Sequence, residues 1–270
     1  MQVSDILRTN YLSVDQDDTL SKVFGKLGDA HKEAIIVDAK KNYVSMLQKR
    51  LLIKSHIDLI SVKVKTVGSK PGTLTANMTV EKAGSIMHAT DFHVLPVLDG
   101  KKILGIAGAR DVLEALKDKL VGVKASDISS KNVITLLETD SIAQAVPLFR
   151  EKKLDHLPIV DKNGNLAGIV SMMDLITRYF SHAQGSPSGR GGKHGRSSKS
   201  GQDGGDKNAV AGLPVMDIMT KLVASVAPNA KASDIITLMR TREISSVIVV
   251  QNDKPVGIIT TKDLLREATK

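Results

Sequence analysis

The sequence contains no cysteine and no tryptophan. The first absence excludes disulfides, thiolate metal sites and cysteine nucleophiles. Aromatic residues are scarce, four Phe and three Tyr in 270 residues, which leaves little surface for stacking bases and argues against a single-strand-binding platform. The seven histidines show no HxxxH or related spacing, so no metal is expected. No apolar run approaches the ~20 residues of a membrane span, and the opening MQVSDILRTN lacks the basic-then-apolar order of a signal peptide. The expectation is a cytoplasmic protein with no membrane contact.

What is present suits a folded chain with room for about two domains: 41% apolar and 25% charged residues, far from the composition of wholesale disorder. A formal charge of +9 points to anionic partners, which includes nucleotides, nucleic acid and acidic proteins. It does not choose among them.

The informative feature is repetition. Three heptads, GIAGARD ending at Asp111, GIVSMMD at Asp174 and GIITTKD at Asp263, share a glycine, apolar residues and a closing acid. Upstream stand the hydroxyl residues Thr73, Thr135 and Ser225, separated from those acids by 38, 39 and 38 residues. The same ruler laid from Ser13 reaches Leu51 in SMLQKRL, where the acid is missing. Three of the four units also carry an Asp-Ile pair eight residues before the hydroxyl, at Asp5-Ile6, Asp127-Ile128 and Asp217-Ile218.

Within each unit the pattern is constant. After the hydroxyl comes helical spacing, as in Leu20, Val23, Phe24 and Leu27, or Ala232, Ile236 and Met239. Two short apolar runs around a turn follow, as in LPIVDKNGNLAGIV and SVIVVQNDKPVGII, with Asn-Gly and Asp-Lys-Pro as turn segments, then a short helix. The unit is β-α-β-β-α and too small to bury its sheet alone, so units should pack in pairs. The expected boundaries are 1–60, 61–120, 121–182 and 213–270. Between the last two the period breaks at 183–212, which holds nine Gly and five Ser and reads as a disordered insertion.

These units resemble the CBS domain, named for cystathionine β-synthase, whose paired repeats form a Bateman module. The resemblance covers all four units; its closing G-h-x-[ST]-x-x-D is matched in full by GIVSMMD and GIITTKD. GIAGARD departs at Gly108, and SMLQKRL departs at Ser45, Gln48 and Leu51. The resemblance implies an α/β (α+β) fold with two tandem Bateman modules, 1 to ~120 and ~121 to 270, assembled as a flat disc. It is similar to stand-alone archaeal CBS proteins and the γ subunit of AMP-activated protein kinase. It further implies an adenosine-bearing ligand in clefts between repeats: AMP, ADP, ATP or S-adenosylmethionine.

Two readings of the heptad coexist. Structurally, Thr260 with Asp263, and Ser171 with Asp174, form a shortened capping box, and Gly108 is a tolerated cap. Functionally, the carboxylates of Asp174, Asp263 and Asp111 suit the vicinal hydroxyls of a ribose, and the adjoining Ser171 and Thr260 sit where a helix N-terminus favours phosphate. The resemblance places the opening hydroxyls Thr73, Thr135 and Ser225 in the pocket region. It offers His93 and His156 as phosphate-binding residues before their strands, and Arg110 and Lys262 are nearer cations. The better site is expected between the third and fourth repeats. Each acid stands without a companion acid, base or metal set, so no enzymatic chemistry is expected. The leading expectation is a regulatory adenosine-ligand sensor acting on a separate, unidentified protein. The alternatives are a nucleic-acid-binding protein using the insertion, which carries five cations against two acids, and a ligand-free scaffold that forms a homodimer.

Overall fold

The computed structural model describes residues 1–24, 26, 33–48, 62–152, 154–172, 174–175 and 211–270. Leu27, Leu51 and residues 183–210 of the expected insertion lie outside the described residues.

Each repeat builds a small sheet by the same route. In the first, β1 (Ser13–Asp15) leads through α1 (Leu20–Phe24) to the parallel β2 (Glu33–Val37), which turns back antiparallel into β3 (Tyr43–Gln48). The second replaces the opening strand with a single parallel bridge, Leu74 to Val97, then runs α2 (Val80–Thr90), β4 (Val94–Asp99), β5 (Lys102–Gly108) and α3 (Ala109–Ala115). The third has β6 (Leu136–Leu137), α4 (Ile142–Glu151), β7 (His156–Val160) and β8 (Leu166–Ser171). The fourth has β9 (Ser225–Val226), α5 (Ala232–Thr241), β10 (Ser246–Gln251), β11 (Lys254–Thr260) and α6 (Thr261–Ala268). The parallel pairs need a helical crossover and the antiparallel pairs only a turn, which is why one period contains both.

The turns follow from local chemistry. Asp161 accepts the backbone N–H of Asn163 and of Asn165, each at 2.8 Å, and Gly164 supplies a φ of 81°. The Asn165 N–H in particular holds the Asp161 carboxyl below the usual carboxylate range. In the fourth repeat the turn centres on Asn252 and Asp253, both at positive φ. Lys254 and Pro255, expected in the turn, already belong to β11, an edge strand where a missing N–H is tolerated.

The chain forms two compact units. The larger contains Met1–Lys131, Ala224–Gln251 and Val256–Lys270; the smaller contains Asn132–Val223 and Asn252–Pro255. This grouping cuts across the expected division at ~120. The core of the larger unit joins Ala83 and Met87 of α2, Val112 and Leu113 of α3, Ile235, Ile236 and Met239 of α5, and Leu264, Leu265 and Ala268 of α6. The face of α5 that carries Ala232, Ile236 and Met239 is the one read from sequence, and its isoleucine and methionine side chains each contribute about 1.5–3 kcal/mol on burial. In the smaller unit, Ile142, Ala145 and Phe149 of α4 are fully buried.

The segments that lead into the repeats account for the glycine that opens each acid-bearing heptad. Each crosses to a neighbouring sheet and bridges the second heptad residue: Arg8 with Ile106, Ser69 with Met46, Ser130 with Ile258, and Thr220 with Ile169. The first heptad residue lies under the crossing. A β-carbon on Gly105 would stand 2.4 Å from the Arg8 carbonyl oxygen, one on Gly168 2.4 Å from Met219 Sδ, and one on Gly257 2.8 Å from Ser129 Oγ. The first repeat inverts the arrangement: Ser45 replaces the glycine and Gly68 sits on the crossing segment, where a β-carbon would be 2.3 Å from Ser45 Oγ. The Asp-Ile pairs shape these segments. Asp5 accepts the Gln2 N–H and Asp127 the Lys124 N–H, each at 2.8 Å, closing a short helical turn before the crossing.

Candidate functional site

The heptad acids cap helices, as the structural reading expects. Asp263 Oδ2 accepts the Thr260 N–H at 2.9 Å and its hydroxyl at 2.6 Å; Asp174 Oδ2 accepts the Ser171 N–H at 2.6 Å and its hydroxyl at 2.7 Å. Asp111 Oδ2 accepts the Gly108 N–H at 3.2 Å. Capping uses Oδ2, not Oδ1, in each case. At Asp263, Oδ1 has Arg266 Nη2 at 3.5 Å.

A cavity of ≈ 390 Å³ opens in the larger unit beside GIAGARD. Its apolar lining includes Ile35 and Ile106, both buried, with Tyr11 and Val94 packed against the same cluster. The walls carry Arg8, Arg110 and His93 as cations or hydrogen-bonding groups, and Glu33 and Glu243 as acids. An apolar lining and a few convergent polar groups are the usual composition of a small-molecule pocket, and the volume lies in the usual range of roughly 300–1,000 Å³.

Local structure fixes each polar group. His93 precedes β4; its carbonyl accepts the Ala109 N–H at 2.7 Å, and its Nδ1 lies 3.0 Å from Thr261 Oγ1. Thr261 is 1% exposed, so this contact lies in the interior and orients the imidazole. Arg8 follows the Asp5 turn and pairs through Nε with Asp111 Oδ2 at 3.0 Å. Arg110, beside that acid, has no ion-pair partner among the described residues.

Of the residues named from sequence, His93 and Arg110 line this cavity, and Asp111 adjoins it through Gly108 and Arg8. Lys262 instead pairs with Asp91 at 3.2 Å and is absent from the lining. Thr73 and Ser225 are exposed and Thr135 half-exposed, and none reaches the cavity; Asn10, Tyr11 and Leu12, just ahead of Ser13, stand there instead. Ser171, Asp174, Thr135 and His156 belong to the smaller unit, where His156 is paired in register with Ser171 across β7 and β8. Thr260 and Asp263 belong to the larger unit.

Sequence reasoning missed Arg8, Thr261 and Glu243. For Thr261 a signal existed, since GIITTKD alone doubles its hydroxyl. For Arg8 it lay in the repeat: Ser130 and Thr220 occupy the equivalent places after their Asp-Ile pairs.

Tyr43 packs against the same apolar cluster; among the described residues its buried hydroxyl has no hydrogen-bond partner, and burial pushes its pKa up to about 12. Tyr43→Phe removes an unsatisfied polar group, so stability should rise by about 1 kcal/mol in urea denaturation. A loss of stability would show that the hydroxyl is bonded in solution.

Family comparison matches the CBS domain at residues 64–118, 125–181 and 215–270, most of the chain. The chain belongs to the CBS-domain family. The three matched stretches end at or beyond the three acid-bearing heptads, and the acid-free first repeat is unmatched. Among curated proteins, the chain is similar to Uncharacterized protein MJ1404 of Methanocaldococcus jannaschii, at 27% identity over 271 residues. That match covers 98% of this chain and 61% of the relative, so the chain spans about three-fifths of that protein's length. It is also 33% identical over 106 residues to inosine-5'-monophosphate dehydrogenase of Thermoplasma acidophilum, covering 39% of this chain and 21% of the enzyme. Among solved structures, protein MJ1225 of M. jannaschii, put forward as an archaeal homolog of γ-AMPK, matches with a TM-score of 0.80 at 19% identity, covering 98% of this chain and 99% of that one. The two chains therefore share a fold over nearly their whole lengths.

Among the described residues, no cluster of three or more His, Asp or Glu could hold a metal ion, and no helix is long and apolar enough to cross a membrane.

Proposed function

We propose that this CBS protein is a non-catalytic, cytoplasmic regulatory module that binds an adenosine-bearing small molecule (AMP, ADP, ATP or S-adenosylmethionine) and passes its state to a separate protein. The observation that carries this reading is the ≈ 390 Å³ cavity at GIAGARD, with apolar residues for a base, Asp111 for a ribose hydroxyl, and Arg8 and Arg110 for an anionic group. The cavity draws residues from the first, second and fourth repeats, so a ligand bridging them would favour one arrangement of those repeats over another. Its regulatory effect would equal its differential affinity for the two arrangements.

Isothermal titration of the intact protein with AMP, ATP and S-adenosylmethionine tests the reading. Saturable heat with at least one of them is expected. No heat from any, at protein concentrations in the hundred-micromolar range appropriate to weak binding, would sink it.

A further inference from the structure

GIAGARD differs from GIVSMMD and GIITTKD at Gly108, where the others carry Ser171 and Thr260. In those heptads the hydroxyl donates to Oδ2 of the acid, at 2.7 Å and 2.6 Å. At Asp111 the same oxygen receives Arg8 Nε, at 3.0 Å. A β-carbon on Gly108 would stand 2.5 Å from Arg8 Nη2 and 2.9 Å from Asp111 Oδ2, so the guanidinium fills the space a serine or threonine would need. The crossing segments show the other half of the exchange: Ser130 and Thr220 bridge the two hydroxyl-bearing heptads where Arg8 bridges Ile106. The arginine and the glycine are one feature written in two places.

We propose that Arg8 makes the Asp111 cavity selective for phosphorylated over unphosphorylated adenosine ligands, as a cation locked in place by that carboxylate. This rests on the adenosine reading above. Bonding through Nε leaves the terminal nitrogens of the guanidinium to hold a second oxyanion, and the ion pair has already restricted the side chain's rotamers. Arg110 lines the same cavity, so a phosphate at the Asp111 end meets two guanidinium groups, from which a nucleoside gains nothing. The positive sulfonium of S-adenosylmethionine would be repelled there. Glu33 and Glu243, also in the lining, oppose a phosphate placed near them, which confines the selectivity to the end where Arg8 is held.

Calorimetric titration of the intact chain with AMP, adenosine and S-adenosylmethionine, for the parent, Arg8→Gln and Gly108→Ser, tests the proposal. The Arg8 side chain is 46% exposed, so the first variant should fold; a thermal melt checks both. AMP affinity is expected to fall roughly 10- to 100-fold in Arg8→Gln, the loss of a charge-assisted contact, while adenosine changes by less than about threefold. Gly108→Ser should displace the guanidinium and erode the preference for AMP in the same direction. An unchanged AMP-to-adenosine ratio in both variants, or equal loss of both ligands, overturns the proposal and leaves the adenosine reading standing. A parent protein that binds none of the three overturns both.

Discussion

Gly105→Val is expected to destabilise the larger unit by about 3 kcal/mol, read as a lowered urea midpoint in far-ultraviolet circular dichroism. Its β-carbon would stand 2.4 Å from a backbone oxygen, that of Arg8, and 2.8 Å from Leu7 Cδ1. A backbone carbonyl cannot rotate away. The crossing strand would have to lift, breaking the paired bonds of 2.8 and 2.9 Å between Arg8 and Ile106. Gly168 provides the control, because there the nearest atoms all belong to the flexible Met219 side chain. Gly168→Ala should therefore cost about 1 kcal/mol, clearly less than Gly105→Ala. Equal losses at the two glycines would show that the crossing backbone is not what requires them.

Asp111→Ala should weaken AMP binding by about 100-fold or more in calorimetric titration. The substitution removes a charged acceptor for a ribose hydroxyl and also the anchor of Arg8, two charge-assisted interactions of about 1.5–3 kcal/mol each. Its structural cost is smaller. The lost cap on α3 is worth about 0.5–2 kcal/mol, so the protein should remain folded and a thermal melt can separate the two effects. Asp111→Asn keeps an acceptor for the Gly108 N–H but loses the charge, and should fall between the parent and the alanine variant. An Asp111→Ala protein that melts normally and binds AMP as tightly as the parent would place the ligand elsewhere.

The candidate site was partly legible because some of its residues are fixed by short-range spacing. Asp111 and Arg110 close a heptad, and His93 precedes an apolar strand; each can be found with a ruler. Arg8 could not be found that way. It lies 103 positions from Asp111 in the chain and reaches it only because its segment crosses to the second repeat's sheet. Lys262 illustrates the converse: it occupies the same heptad position as Arg110, yet a nearby Asp91 claims its charge. Equivalent positions in a repeat share backbone geometry; their side chains answer to whichever neighbours the packing supplies. The opening hydroxyls lie outside this cavity for a related reason, since the residues just ahead of Ser13 border it while Thr73 and Ser225 are exposed.

By itself the sequence determined the alternation of helix, paired strands and turn within a repeat, because apolar periodicity, turn residues and capping acids act within a few residues of one another, and the resemblance of its heptads pointed to the CBS family. It also graded the heptads by acid and hydroxyl, placing GIVSMMD and GIITTKD first and the better site between the third and fourth repeats, whereas the cavity opens beside GIAGARD. Tertiary structure alone decided which segment crosses which sheet, and hence why the heptads begin with glycine and why Gly108 stands where a hydroxyl was expected. Steric exclusion and ion pairing depend on distance in space, and residues far apart in the chain become neighbours only after the sheets and helices have buried their apolar faces.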